Sequence, residues 1–307
     1  MDSAELDAVR IVLSPATQSV LPLILAMIMF SVALSLRLED FAFLKRAPLR
    51  FAGAAAGQII LLPAATFALL LVLDPIASIA LGMIVVACCP GGNVSNFFTH
   101  LARGDTALSV SLTATSSVLA ALMTPVSILF WASLYPPTAQ LITEIEVEAA
   151  PFLIQTTAIL AIPLALGMTV CALAPRLAAR IRPTLTVLSL AALALIAISG
   201  VRGNWDIFIA GGLLIVSVCA LHNAFAFALG WIWARVLGFA AKARRSLTFE
   251  IGIQNAGLGL VILLGQFDGL GGAAAVTAIW GIWHLISGSA LAGGFRLLDR
   301  VSSTRLS

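Results

Sequence analysis

Charge is scarce in this chain. Of its 307 residues only 10% are Asp, Glu, Lys or Arg, against 61% hydrophobic, and the mean hydropathy is +1.07. A water-soluble domain of this length cannot hide so much apolar surface, so the composition makes an integral membrane protein the expectation. No GxxxxGK[S/T] phosphate loop occurs, so nucleotide-driven work would need another subunit. No HExxH pair occurs either, and SGSA at 287–290 reads as small-residue helix packing, so the chain is read as a non-enzyme. Cysteines number only four (Cys88, Cys89, Cys171, Cys219), all in apolar runs. The vicinal pair Cys88 and Cys89 lacks further ligands at metal-site spacing and reads as packing. The first apolar run follows acidic MDSAELDAVR, without a basic n-region, and is read as a retained helix, not a signal peptide.

What is present is a succession of apolar windows of ~20 residues, the length that crosses ~30 Å of hydrocarbon. Nine fall at 18–37, 50–73, 76–102, 106–135, 150–174, 183–201, 207–234, 246–267 and 272–295, leaving no room for a soluble domain. With the N-terminus outside, the inner loops receive Arg37, Lys45, Arg46, Arg50, Arg103, Arg176, Arg180, Arg182, Arg235, Lys242, Arg244, Arg245, Arg296, Arg300 and Arg305. The outer side keeps only Arg10 and Arg202. That segregation predicts an outer N-terminus and a cytoplasmic C-terminus in a cell (inner) membrane. The net charge of +3 is then a membrane face, with no nucleic-acid partner implied.

Two windows are abnormal. The third carries Pro90, Gly91, Gly92, Asn93, Ser95 and Asn96 near its middle; the eighth carries Glu250, Gly252, Gln254, Asn255, Gly257 and Gly259. An ionised side chain at membrane depth costs at least ~3 kcal/mol by insertion scales and is retained where it pairs with something, often an ion or proton. Broken helices at that depth place freed carbonyls and helix ends where they hold ions and anionic groups. Packing alone needs the glycines but not the hydroxyls, amides and carboxylate. The spacing of Ser109 and Thr113 places both on one helix face; back-bonding of each to its own helix is the alternative. Gln58 is equally readable as an interhelical hydrogen bond. Counted from the inner boundary, Gln58, Asn96, Ser109, Thr113 and Glu250 fall at a common depth of ~6–12 Å. Asp105, after Gly104, reads as the N-cap of the fourth helix, His100 as lying near the inner boundary, and His222 and His284 as structural.

CCPGGNVSNFFTHLARGDTALSVSLTATSSVLAALMTP (88–125) and SLTFEIGIQNAGLGLVI (246–262) resemble the two signature regions of the bile acid:sodium symporter family. WHLISGS (283–289), LHNAFAFALG (221–230), IMFSVALSLRLEDF (28–41) and GQIILLP (57–63) match further family segments. The resemblance implies an all-α membrane transporter of inverted-repeat design, a core domain with two crossing discontinuous helices set against a panel. Panel helices would be about 18–37 and 150–201, core helices about 50–135 and 207–295. Nine helices are expected, the first of the ten-helix arrangement of bacterial relatives being absent. Leu285 stands where the family's WHNISG has an amide.

Carried over by position, the resemblance implies two sodium sites. The first comprises Ser95, Asn96, Ser109, Thr113 and Glu250; the second comprises Gln58, Glu250, Gln254 and the carbonyls of Ile251 and Ile253. Asn93 and Asn255 are the candidate substrate contacts. Hydroxyl, amide and main-chain oxygens suit sodium as a hard cation. The expected function is sodium-coupled import of an organic anion, two sodium ions per cycle, by alternating access. Bile-acid-like molecules, small carboxylates such as pantoate or 2-oxo acids, and sulfonates all fit. No obligate protein partner is implied beyond the lipid bilayer. A metalloid or proton-coupled exporter using Cys88 or Cys89 is the alternative, which Cys-dependent arsenite resistance would reveal. A passive channel would give currents without coupling.

Overall fold

The computed structural model describes residues 7, 11, 15–41, 43, 47–203, 205–267 and 269–304, and among them every regular element is helical. In chain order these are α1 (Pro15–Ala33), α2 (Pro48–Leu73), α3 (Ala77–Cys88), α4 (Asn93–Leu101), α5 (Thr106–Leu134) and α6 (Pro136–Glu144). There follow α7 (Ala149–Leu173), α8 (Pro175–Gly203), α9 (Trp205–Val236), α10 (Ala241–Gly252), α11 (Ala256–Gln266) and α12 (Gly271–Thr304). Stretches of α2, α5, α7, α8, α9 and α12 are long and apolar enough to cross a membrane, and three shorter apolar helices lie at Ser19–Ala33, Ala77–Cys88 and Ala256–Gln266. The chain is thus a multi-pass integral membrane protein.

Local chemistry explains the boundaries. Pro48, Pro136 and Pro175 open their helices, where a missing N–H costs nothing. Asp105 caps α5 as expected, its carboxylate accepting from Leu108 N at 3.1 Å. The first helix ends at Ala33, short of the predicted 37. Ser35 and Leu36 bond three residues back at 3.0 Å, tightening the last turn, and a 3-10 turn follows at Leu38–Phe41. In contrast, α8 begins at Pro175 and not at 183: Arg176, Arg180 and Arg182 lower its hydropathy without interrupting its backbone. Helix α6 occupies what the hydropathy reading treats as a loop. Of the basic residues used for orientation, Arg10, Lys45, Arg46 and Arg305 lie outside the described residues.

Two helices are apolar on every side and so have no face for lipid alone. In α3 every residue from Ser78 to Cys88 is buried, as are Leu258–Leu264 of α11. Around them α1, α7 and α8 pack on one another, while α12 covers both α3 and α11. An aromatic group ties four helices together: Phe249 of α10 lies 6.0 Å from Phe98 of α4, 5.9 Å from Phe227 of α9 and 6.1 Å from Phe295 of α12, ring centre to ring centre. Arg245 stacks over Phe295 and forms a two-pronged pair with Asp299, tying α10 to α12. Glu250 is the next-door neighbour of Phe249 and is aimed by that packing.

Candidate functional site

The two breaks meet. Cys89, Gly92 and Ile253 have extended backbones. Gly91 and Gln254 form an isolated antiparallel bridge, and Asn255 N donates to Pro90 O at 2.8 Å. Each break therefore satisfies backbone groups of the other that lipid would leave bare. Gly91 leaves room for both side chains: a Cβ there would sit 2.6 Å from Gln58 Nε2 and 2.9 Å from Glu250 Oε2 and would push them from these positions. Four helix ends converge on the spot. The C-termini of α3 and α10 present partial negative charge, and the N-termini of α4 and α11 partial positive charge.

Glu250 is fully buried at this crossing, with 0% exposure. Its Oε1 accepts from Ser95 Oγ at 2.6 Å, Ser109 Oγ at 2.5 Å and Thr113 Oγ1 at 3.0 Å; Thr113 also lies 2.9 Å from Oε2. Asn96 Oδ1 lies 2.8 Å from Ser109 Oγ and 3.3 Å from Thr113 Oγ1. The hydroxyls of Ser109 and Thr113 are thus turned across to α10 and α4. Thr169 and Thr277, by comparison, bond back to their own helices. Each hydroxyl that donates to the carboxylate keeps lone pairs for a cation. Oxygen atoms from α4, α5 and α10 therefore surround one charge.

A second group of oxygens adjoins the carboxylate. A five-residue π-helical turn over Gly57–Leu61 in α2 carries Gln58, and such turns recur at functional positions. Gln58 Nε2 donates to Glu250 O at 2.9 Å; Gln254 Nε2 lies 3.2 Å from Glu250 O and 2.9 Å from Ile251 O. The Oε1 atoms of both glutamines are buried without a hydrogen-bond partner. Unsatisfied buried acceptors are uncommon and call for an explanation such as an ion or water. An oxygen-preferring cation supplies one.

Residues 22–211 match the model of the sodium bile acid symporter family. The chain is also 34% identical over 274 residues to the uncharacterized sodium-dependent transporter YocS of Bacillus subtilis, covering 89% of this chain and 82% of that one. The chain belongs to the sodium bile acid symporter family. Further members it resembles are a probable chloroplast sodium/metabolite cotransporter, BASS1, of rice (Oryza sativa subsp. japonica; 30% identity, 88% of this chain, 64% of that one) and the human ileal sodium/bile acid cotransporter (27% identity, 80% and 69%). These relatives are named as transporters and cotransporters, in keeping with a transport function and not an enzymatic one.

Within this family member, the residues singled out from sequence fall as follows. Ser95, Asn96, Ser109, Thr113 and Glu250 come into one hydrogen-bonded cluster, and Gln58, Gln254 and the Ile251 carbonyl into the adjoining one. Ile253 is buried in the break, its N–H bonded to Phe249 O at 2.9 Å. Asn255 caps α11, accepting from Leu258 N at 3.0 Å, and Asn93 is exposed in the first turn of α4. Sequence reasoning missed Thr99, 3.2 Å from Ser109 Oγ, and the role of Gly91. His222, read as structural, meets Thr66 Oγ1 through Nε2 at 2.9 Å, while its neighbour Asn223 turns to α10. All four cysteines are free and buried. A cavity of about 1110 Å³ lies between α1, α7 and the far end of α11, walled by Leu21, Leu25, Phe152, Val261 and Leu264, with Gln155 and Thr156 among its polar lining.

Proposed function

We propose that the chain is a sodium-coupled symporter that imports an organic anion by alternating access, moving two sodium ions per cycle. The first ion is held by Ser95, Asn96, Ser109, Thr113 and Glu250. The second is held by Gln58, Gln254, Glu250 and the carbonyls of Ile251 and Ile253. The observation that carries this reading is the single fully buried carboxylate at the crossing, flanked by hydroxyls and by two partnerless amide oxygens. Two sodium charges against one carboxylate leave a net positive site, next to the positive ends of α4 and α11, where Asn93 and Asn255 stand. The large cavity at the far end of α11 offers an anion no Lys or Arg among its described lining residues and is bordered instead by Glu146 and Glu148. The anion is therefore recognised through bound sodium and helix ends, which makes its binding sodium-dependent.

In this reading α3–α4 and α10–α11 each cross the membrane as a broken pair, giving nine crossings with the N-terminus outside and the C-terminus in the cytoplasm. Helices within 18–37 and 150–201 form the panel, and those within 50–135 and 207–295 the core that moves against it. The test is a melting-temperature screen of the purified protein with carboxylates and sulfonates, in sodium and in potassium, followed by uptake of each hit into vesicles. A hit should stabilise the protein only with sodium present. Equal stabilisation and equal uptake in both salts would overturn the proposal.

A further inference from the structure

A half-helix that ends in mid-membrane leaves its last carbonyls without helical donors. At the end of α10 Phe249 O keeps an ordinary helical donor, Ile253 N, and the three carbonyls after it find substitutes. Glu250 O accepts from Gln58 and Gln254, Ile251 O from Gln254, and Gly252 O from Asn223 Nδ2 at 2.7 Å. Three amide side chains thus stand in for the missing turn. They differ in one respect. The second amide atom of Gln58 and of Gln254 is a buried oxygen with no partner, whereas Asn223 Oδ1 accepts from Ser287 Oγ at 2.5 Å. Asn223 is itself 0% exposed.

Helix α9 holds the last residue of α10 in a second way. Phe227, one turn beyond Asn223, fills the space beside Gly252, and a Cβ on Gly252 would collide with its ring. The peptide joining Gly252 to Ile253 is planar, so fixing the Gly252 carbonyl fixes where Ile253 begins. The Ile253 carbonyl then follows from its extended φ of −128° and ψ of 110°.

We infer that Asn223 is a positioning residue for the second sodium site. It sets the direction of the Ile251–Ile253 peptide groups, while Ser287 occupies its oxygen and keeps it from becoming a ligand. The inference rests on the sodium reading above, and its test separates the two. In the full-length purified protein, sodium chloride is titrated against choline chloride at constant ionic strength, with the melting temperature as readout. Asn223→Ala and the near-equal-sized Asn223→Leu, which loses the donor without adding a charge, should each raise half-saturating sodium about tenfold, as loss of a supporting partner does at metal sites. Their Hill coefficient should fall towards one as only the first site still fills in range. Ser287→Ala keeps the bond to Gly252 and should shift half-saturation by less than about twofold, by the same reasoning. A merely structural role would lower the sodium-free melting temperature and leave half-saturation and Hill coefficient unchanged. The leucine variant carries the test if the alanine variant does not fold. Glu250→Gln is the control: if it abolishes the sodium response while both Asn223 variants titrate like wild type, this inference alone is overturned. If Glu250→Gln responds to sodium normally, the sodium reading itself fails.

Discussion

Replacing Glu250 by Gln removes one charge and almost nothing else, which makes its outcome calculable. With the amide oxygen in the place of Oε1, it still accepts from Ser95, Ser109 and Thr113. The amide nitrogen, in the place of Oε2, lies 2.9 Å from Thr113 Oγ1 and can donate to it. The hydrogen-bond pattern therefore survives, and a buried charge that is costly without a partner is gone. In sodium-free medium the variant should melt no lower than wild type. With sodium the order reverses. A unit charge ~4 Å from an ion contributes ~4 kcal/mol at an effective dielectric of ~20, and ~1.4 kcal/mol is a factor of ten in affinity. Each ion should bind about a thousandfold more weakly in the variant. Sodium at ~100 times its dissociation constant stabilises a native protein by ~2.7 kcal/mol; the same concentration should stabilise the variant negligibly. The assay is thermal unfolding in detergent, with sodium exchanged for choline at constant ionic strength. A correctly inserted Glu250→Gln protein with the wild-type sodium increment would refute the site. A variant that melts far below wild type without sodium would refute the hydrogen-bond reasoning.

Gly91→Ala should insert normally yet lose most of the sodium-dependent increase in melting temperature, because its methyl displaces Gln58 Nε2 and Glu250 Oε2 together; an unaltered sodium titration would contradict this. Asn96→Ala and Thr113→Ala should raise half-saturating sodium while membrane insertion, followed by fractionation, stays intact. Two ions with a monoanion make transport electrogenic, so an inside-negative potential should speed uptake, each 100 mV adding ~2.3 kcal/mol per charge; indifference to potential with first-order sodium dependence would exclude two ions. A reporter fused after Ser307 should be active on the cytoplasmic side, and activity confined to the outer side would reverse the orientation.

Much of this arrangement is readable from composition and local sequence. The apolar windows locate the helices, and Pro90-Gly91-Gly92 and the glycines after Glu250 locate both breaks. The common depth of Gln58, Asn96, Ser109, Thr113 and Glu250 anticipates that they meet. What escapes local reading depends on partners far along the chain. Nothing around Gly57 announces a π-helical turn, and nothing around Asn223 shows that its amide serves Gly252 rather than His222. Hydropathy also cannot see α6, whose Gln140 and Glu144 bond to each other on an exposed face at 2.8 Å. The competing role for Ser109 and Thr113, bonding back along α5, is decided by where α10 brings Glu250, which no window of the sequence contains.

The bond between the two breaks has a consequence for how the chain is made. Pro90 and Gly91 emerge from the ribosome long before Gln254 and Asn255, and at ~5–20 residues per second the wait is on the order of ten seconds or more. During that interval the first break has no second strand to answer its carbonyl and amide groups. Either water or the insertion machinery must shelter it, so α3 and α4 are expected to settle into the lipid as one unit only after the end of α10 arrives. Truncation before Ile253 should accordingly leave an early intermediate whose first break is open to water-soluble reagents, a state detectable by labelling Cys89 in nascent chains of increasing length.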